Sequence, residues 1–166
     1  MNFENTNQFK KGKLGEGIVK NYLETKGFIC YTPVTKNKAH CFDMLIIKNK
    51  LQTIALDVKT KSRLNKYNAT GVDYKSYLEY KRWSNYTNLP FYLFFVDDRS
   101  GEVHYNNLEN LNESNGFKIS NNKIIVWEIS KMEFLFNIND KNILNKLQQY
   151  DTRNYTYNPD VEIKYN

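Results

Sequence analysis

The chain has 166 residues, of which 40% are hydrophobic, 15% aromatic and 25% charged, a composition that excludes a disordered chain and suffices for one buried core. Its formal charge is +6, and the excess is in the first half: residues 1–70 carry thirteen Lys/Arg against five acids, while the remainder is slightly acidic. Such a basic half fits a polyanionic partner, with a solvated lysine-rich surface as the plainer reading.

In chain order, apolar residues at Leu14, Ile18, Val19, Tyr22 and Leu23 predict an amphipathic helix over Lys13 to Lys26, stopped by Gly27. "FICYTPV" predicts a short strand. "CFDMLIIK" and "LQTIALDVKTK" then predict a hairpin around Asn49 and Lys50. The polar run from Arg63 to Thr70 reads as a loop. "VDYKSYLEYKRWSNYT" reads as a second helix with Asp73 at its N-cap, and "LPFYLFFV" as a central strand. Asp97 to Gly101 forms a turn into the strand "EVHYNN", and "KIIVWEI" is a further strand. "KMEFLFNINDKNILNKLQQY" is expected to open with a short helix and to end in one. The fold class expected is a mixed α/β domain whose central strands are covered by helices.

Side chains alternate along a strand, so Ala55, Asp57 and Lys59 share one face and Leu56 and Val58 the other. Across the hairpin, a three-residue connection would set Asp43 opposite Asp57. A two-residue connection would shift it by one position. Two facing carboxylates repel unless a cation lies between them. Mg²⁺, with Mn²⁺ as a substitute, suits Asp43, Asp57 and the Val58 carbonyl as oxygen ligands. Lys59, on the same face, would then reach a scissile phosphate or the attacking water. Against this stands an ordinary surface ion pair on an edge strand.

These residues resemble the PD-(D/E)XK nuclease superfamily, which includes many restriction enzymes and Holliday junction resolvases. "GEGIVKNYL" with Glu16, "CFDMLII" with Asp43 and "LDVKTKS" with Asp57 and Lys59 follow that family's order, over about Lys11 to Val96. Phe42 stands where the family name has Pro. The resemblance implies a restriction-endonuclease-like core, α-β-β-β-α-β, with a mixed central sheet and a C-terminal β/α extension. Residues 1–150 are expected to form one nuclease-like domain and 151–166 a tail. It also implies metal ligation by Asp43, Asp57 and Glu16, catalysis by Lys59, and an accessory polar residue from the second helix, Tyr77 or Lys81. The activity implied is metal-dependent DNA endonuclease cleavage of the junction-resolvase, restriction or mobile-element type, by a homodimer or with a partner protein supplying specificity.

Phosphate contacts are expected from Lys10, Lys11, Lys13, Lys36, Lys38, Lys61, Arg63 and Lys66. "GKLGEG" is not a nucleotide-binding loop, since no strand precedes it and no Lys-Ser/Thr follows. Cys30 and Cys41, with His40 and His104, make neither a disulfide framework nor a familiar zinc spacing. No run approaches the ~18 apolar residues of a membrane span, so a cytoplasmic protein with no membrane partner is expected. Two rival functions are a non-catalytic basic nucleic-acid-binding or protein-interaction module and an RNA-directed nuclease.

Overall fold

The structure, a computed structural model, describes residues 6–34, 40–48, 52–64 and 67–150. Its first helix, α1 (Asn7–Thr25), begins six residues before the predicted start, because Thr6 serves as N-cap and its Oγ1 accepts from Phe9 N at 3.2 Å. The buried stripe is Lys11, Gly15, Val19 and Leu23, spaced by one turn. Lys11 stands where an apolar residue would have revealed that first turn. Gly27 ends the helix in the left-handed region, at φ +83°.

Three strands follow: β1 (Ile29–Tyr31), β2 (Met44–Ile47) and β3 (Thr53–Thr60). They pair antiparallel in that order, and the register Met44 to Leu56 and Ile47 to Thr53 is that of the first of the two predicted alternatives, with Asp43 just beyond the end of β2, close enough to Asp57 to feel its charge. The turn around Asn49 and Lys50 lies outside the described residues. Next comes β4 (Ala69–Asp73), part of which was expected to be a loop, then α2 (Tyr74–Thr87) and β5 (Phe91–Val96), which runs parallel to β3. Asp73 occupies the predicted N-cap position of α2, without a side-chain cap bond. The chain continues through β6 (Glu102–Asn107), β7 (Phe117–Ile119), β8 (Ile124–Glu128), β9 (Glu133–Asn137) and α3 (Lys141–Gln149).

The main sheet has the order β1-β2-β3-β5-β6-β9, and β4-β8-β7 form a smaller one. "KMEFLFNIND" was expected to open with a helix. A 3-10 turn, Ile129–Lys131, precedes it instead, and strand β9 extends the main sheet beside β6. Residues 151–166, the expected tail, lie outside the described residues.

β3 is an interior strand buried on both faces, so the picture of an exposed edge does not hold. Leu56 and Val58 pack with Val19, Leu23, Met44, Ile46 and Leu147 under α1 and α3. Ala55 packs with Phe91, Leu93, Tyr77, Tyr80 and Trp127 under α2 and the small sheet. Asp57 and Lys59 therefore project into the layer beneath α2, not into open solvent.

Gly15 sets how closely α1 approaches β3. A Cβ there would overlap Thr60 Oγ1 and press on Thr60 Cβ. We expect Gly15→Ala to destabilise the protein by about 1–3 kcal/mol, the usual cost of overpacking a tight contact. Thr60→Ala should recover part of that loss, which urea denaturation of the single and double variants would measure.

Candidate active site

Asp43 sits one residue before β2 begins. Its backbone N donates to Leu56 O at 2.9 Å, and its Oδ2 accepts from Val58 N at 2.7 Å, so the side chain caps the point where β2 stops covering β3. A strand residue directs its N–H and C=O to the same neighbour, so the Val58 carbonyl also points to this uncovered edge. Asp57, 5% exposed, lies opposite on β3, with Oδ2 at 2.7 Å from Lys59 Nζ. That buried oxygen accepts no hydrogen bond, so Lys59 meets it as an ion pair alone.

The electrostatics bind the group together. Burial, the Asp57 charge and the Glu16 charge, in that order, push the Asp43 carboxyl up to about 7, against the Val58 N–H bond and the Lys59 ammonium, which favour its ionised form. Glu16 on α1 thus reaches the group electrostatically while its Oε2 takes Lys13 Nζ at 2.7 Å. Burial works against the charge on Lys59, but the Asp57 carboxylate and the Tyr80 phenol outweigh it and raise the amine above its ordinary value. Lys59 is therefore an ammonium at neutral pH.

Tyr80 is the residue that the sequence reading missed. It is 3% exposed, its ring stacks on Phe91 at 4.8 Å, and Lys59 Nζ lies 5.9 Å from its centroid. Its phenol lies close enough to feel both Asp57 and Lys59, and burial followed by the Asp57 charge raises its pKa. Tyr77, three residues earlier on the buried side of α2, packs against Trp127 of the small sheet, and exposed Lys81 lies over the Tyr77 ring. The contacts of Tyr77 and Lys81 lead toward the small sheet, and it is Tyr80 that meets the carboxylates. We expect Tyr80→Phe, which keeps the ring stack, to slow any catalysis at this site about 10- to 100-fold, with a stability change near 1 kcal/mol. Cleavage rates and melting temperatures of the same preparation would separate the two effects.

The donor set suits a hard divalent cation: two acidic side chains, a backbone carbonyl and a third carboxylate from the helix. As the side chains stand, Asp57 is engaged with Lys59 and Glu16 with Lys13, and no three acidic, Cys or His groups among the described residues close on one point. Burial and the Asp57 and Glu16 charges crowd the Asp43 carboxylate, a crowding that a divalent cation would relieve, so this donor set is one that could hold the ion.

The basic residues divide. Lys10 and Lys13 are exposed and Lys61 is half-buried. Lys11, only 8% exposed, forms an ion pair with Asp98, and Arg63 pairs with Asp97 at 3.0 Å and with Glu102. Those two are built into the frame rather than displayed to a polyanion. Lys36, Lys38 and Lys66 lie outside the described residues. His104 is buried against Phe134, and burial lowers its pKa.

The backbone resembles two solved nucleases. One is Hjc, a Holliday junction resolvase from the archaeal hyperthermophile Archaeoglobus fulgidus, with TM-score 0.54 and 13% identity over 72% of this chain and 90% of that one. The fold is restriction-endonuclease-like. The other is a nuclease from a fusselovirus, with TM-score 0.53 and 14% identity over 87% of this chain and 93% of that one. No family model and no curated protein sequence matches the chain. The order of elements from α1 to β5 agrees with the expected α-β-β-β-α-β core, here with β4 inserted before α2 and the small sheet completed by β7 and β8.

Proposed function

We propose that the protein is a divalent-metal-dependent nuclease that hydrolyses phosphodiester bonds in DNA. The observation that carries this reading is the gathering of Asp43 and Asp57 where β2 stops covering β3 in a restriction-endonuclease-like sheet, with the Lys59 ammonium at 2.7 Å from Asp57. Mg²⁺, or Mn²⁺ in its place, held by Asp43, Asp57, the Val58 carbonyl and Glu16, would supply charge neutralisation and a water acidified to a usable nucleophile.

The chain's own residues do the rest. Lys59, kept protonated, stabilises the charge that gathers on the phosphate, at no reorganisation cost because Asp57 and Tyr80 already hold it. Burial beneath α2 lowers the local dielectric and strengthens that attraction. Lys10, Lys13 and Lys61 can neutralise phosphates along the strand without reading bases. DNA as substrate is supported by the likeness to a junction resolvase, and branched DNA is the first structure to try.

The test is cleavage of labelled four-way-junction, nicked, single-stranded and linear duplex DNA, and of RNA, in Mg²⁺, Mn²⁺ and EDTA. Metal-dependent cutting of at least one DNA is expected. Cutting of RNA alone would replace the substrate in this account. Cutting of nothing, with nucleic-acid binding unchanged by EDTA, would favour a binding module.

A further inference from the structure

The turn after β5 carries two adjacent aspartates, and both are tied to the elements that deliver the site. Asp98, 1% exposed, pairs with Lys11 of α1, five residues before Glu16. Asp97 Oδ2 pairs with Arg63 Nε at 3.0 Å, three residues after β3 ends. The turn itself is fixed: Asp97 Oδ1 accepts from Arg99 N at 2.9 Å and Ser100 N at 3.3 Å, and Gly101 N donates to Asp97 O at 2.9 Å.

We propose that Asp98 and Lys11 are positioning residues that set the register of α1 on the sheet, and so the place of Glu16 in the site. The inference rests on the nuclease reading and adds to it what holds the helix-borne carboxylate.

Val19 and Leu23 fix the face that α1 turns to the sheet along its C-terminal half, but its N-terminal half meets β3 at Gly15, which has no side chain to key its position. Gly15 allows closeness but gives no direction, and neighbouring residues of a helix point about 100° apart, so the first turns of α1, and Glu16 with them, need a contact of their own to hold them against the sheet. The buried Lys11–Asp98 pair, one turn earlier, supplies the direction that the glycine lacks. A buried ion pair is also a poor source of stability, since well-packed apolar residues of similar volume usually do as well or better. Its gain is specificity of placement.

The test is Mn²⁺ binding to the full chain, followed by electron paramagnetic resonance titration, with urea denaturation alongside. The apolar pair Lys11→Met with Asp98→Leu is expected to keep or raise the urea midpoint while weakening Mn²⁺ binding at least tenfold. In a Glu16→Gln background the same pair should change Mn²⁺ affinity less than twofold. Lys11→Arg, which preserves the pair, should bind within twofold of wild type. If the apolar pair does not fold, Asp98→Asn removes the charge alone, and its loss of Mn²⁺ affinity should likewise vanish in Glu16→Gln. Binding equal to wild type in the charge-removed variants, or a loss of equal size in both backgrounds, overturns the proposal. A wild-type protein that binds no Mn²⁺ overturns the nuclease reading beneath it, and is a separate result.

Discussion

Asp57→Asn and Lys59→Met should each lower DNA cleavage by about 10³-fold or more, the scale seen when a preorganised charge is removed from a reacting centre. The two variants should fail differently. Asp57→Asn removes a ligand and should lose Mn²⁺ binding along with activity. Lys59→Met removes a cation 2.7 Å from Asp57 and leaves the carboxylates in place, so Mn²⁺ binding should persist or tighten while cutting disappears. Single-turnover cleavage and Mn²⁺ titration on the same preparations would show this split. A Lys59→Met protein that cuts normally would remove the ammonium from the mechanism.

Asp43→Asn should stabilise the metal-free protein while abolishing cleavage. The folded protein holds the Asp43 carboxyl at about 7, against an ordinary value of 3.8, chiefly through burial and then through Asp57 and Glu16. The folded state therefore binds this proton more tightly than the unfolded chain does. Its contribution to stability is present below pH ~4, falls as pH rises, and is lost by about pH 7. Asn keeps an acceptor for Val58 N–H and carries no charge. The gain from Asp43→Asn should be small at pH 4 and reach on the order of 2 kcal/mol at pH 8. Adding Mg²⁺ should reverse the order, because an ion that binds only the folded wild type stabilises it by mass action. Urea melts at pH 4 and pH 8, in EDTA and in Mg²⁺, provide the four comparisons. Equal stability of the two proteins at pH 8 in EDTA would contradict the charge crowding described here.

Much of the site was legible because strand geometry is local. Alternation placed Asp57 and Lys59 on one face, and a short hairpin allowed only two registers for Asp43, of which the structure has one. Tyr80 needed more, namely which side of α2 turns toward β3. Its spacing of three from Tyr77 was the available signal, and both tyrosines are buried. Lys11 and Arg63 read as solvent-facing charges because their partners, Asp97, Asp98 and Glu102, lie far along the chain, and a basic side chain looks the same in sequence whether paired or free. The small sheet escaped for a similar reason. β4 is a strand by virtue of β8, more than fifty residues later, and a five-residue run with Gly71 at its centre has little strand character alone. β9 likewise takes its identity from β6.

Asp43, Asp57 and Lys59 are proposed to form a metal-dependent phosphodiester-cleaving site. Its most direct test is cleavage of an end-labelled four-way DNA junction by wild type and Asp57→Asn, side by side, in Mg²⁺ and in EDTA. Wild type is expected to cut in Mg²⁺ alone, and Asp57→Asn in neither condition. Cutting that survives in EDTA, or that Asp57→Asn performs at the wild-type rate, would contradict it.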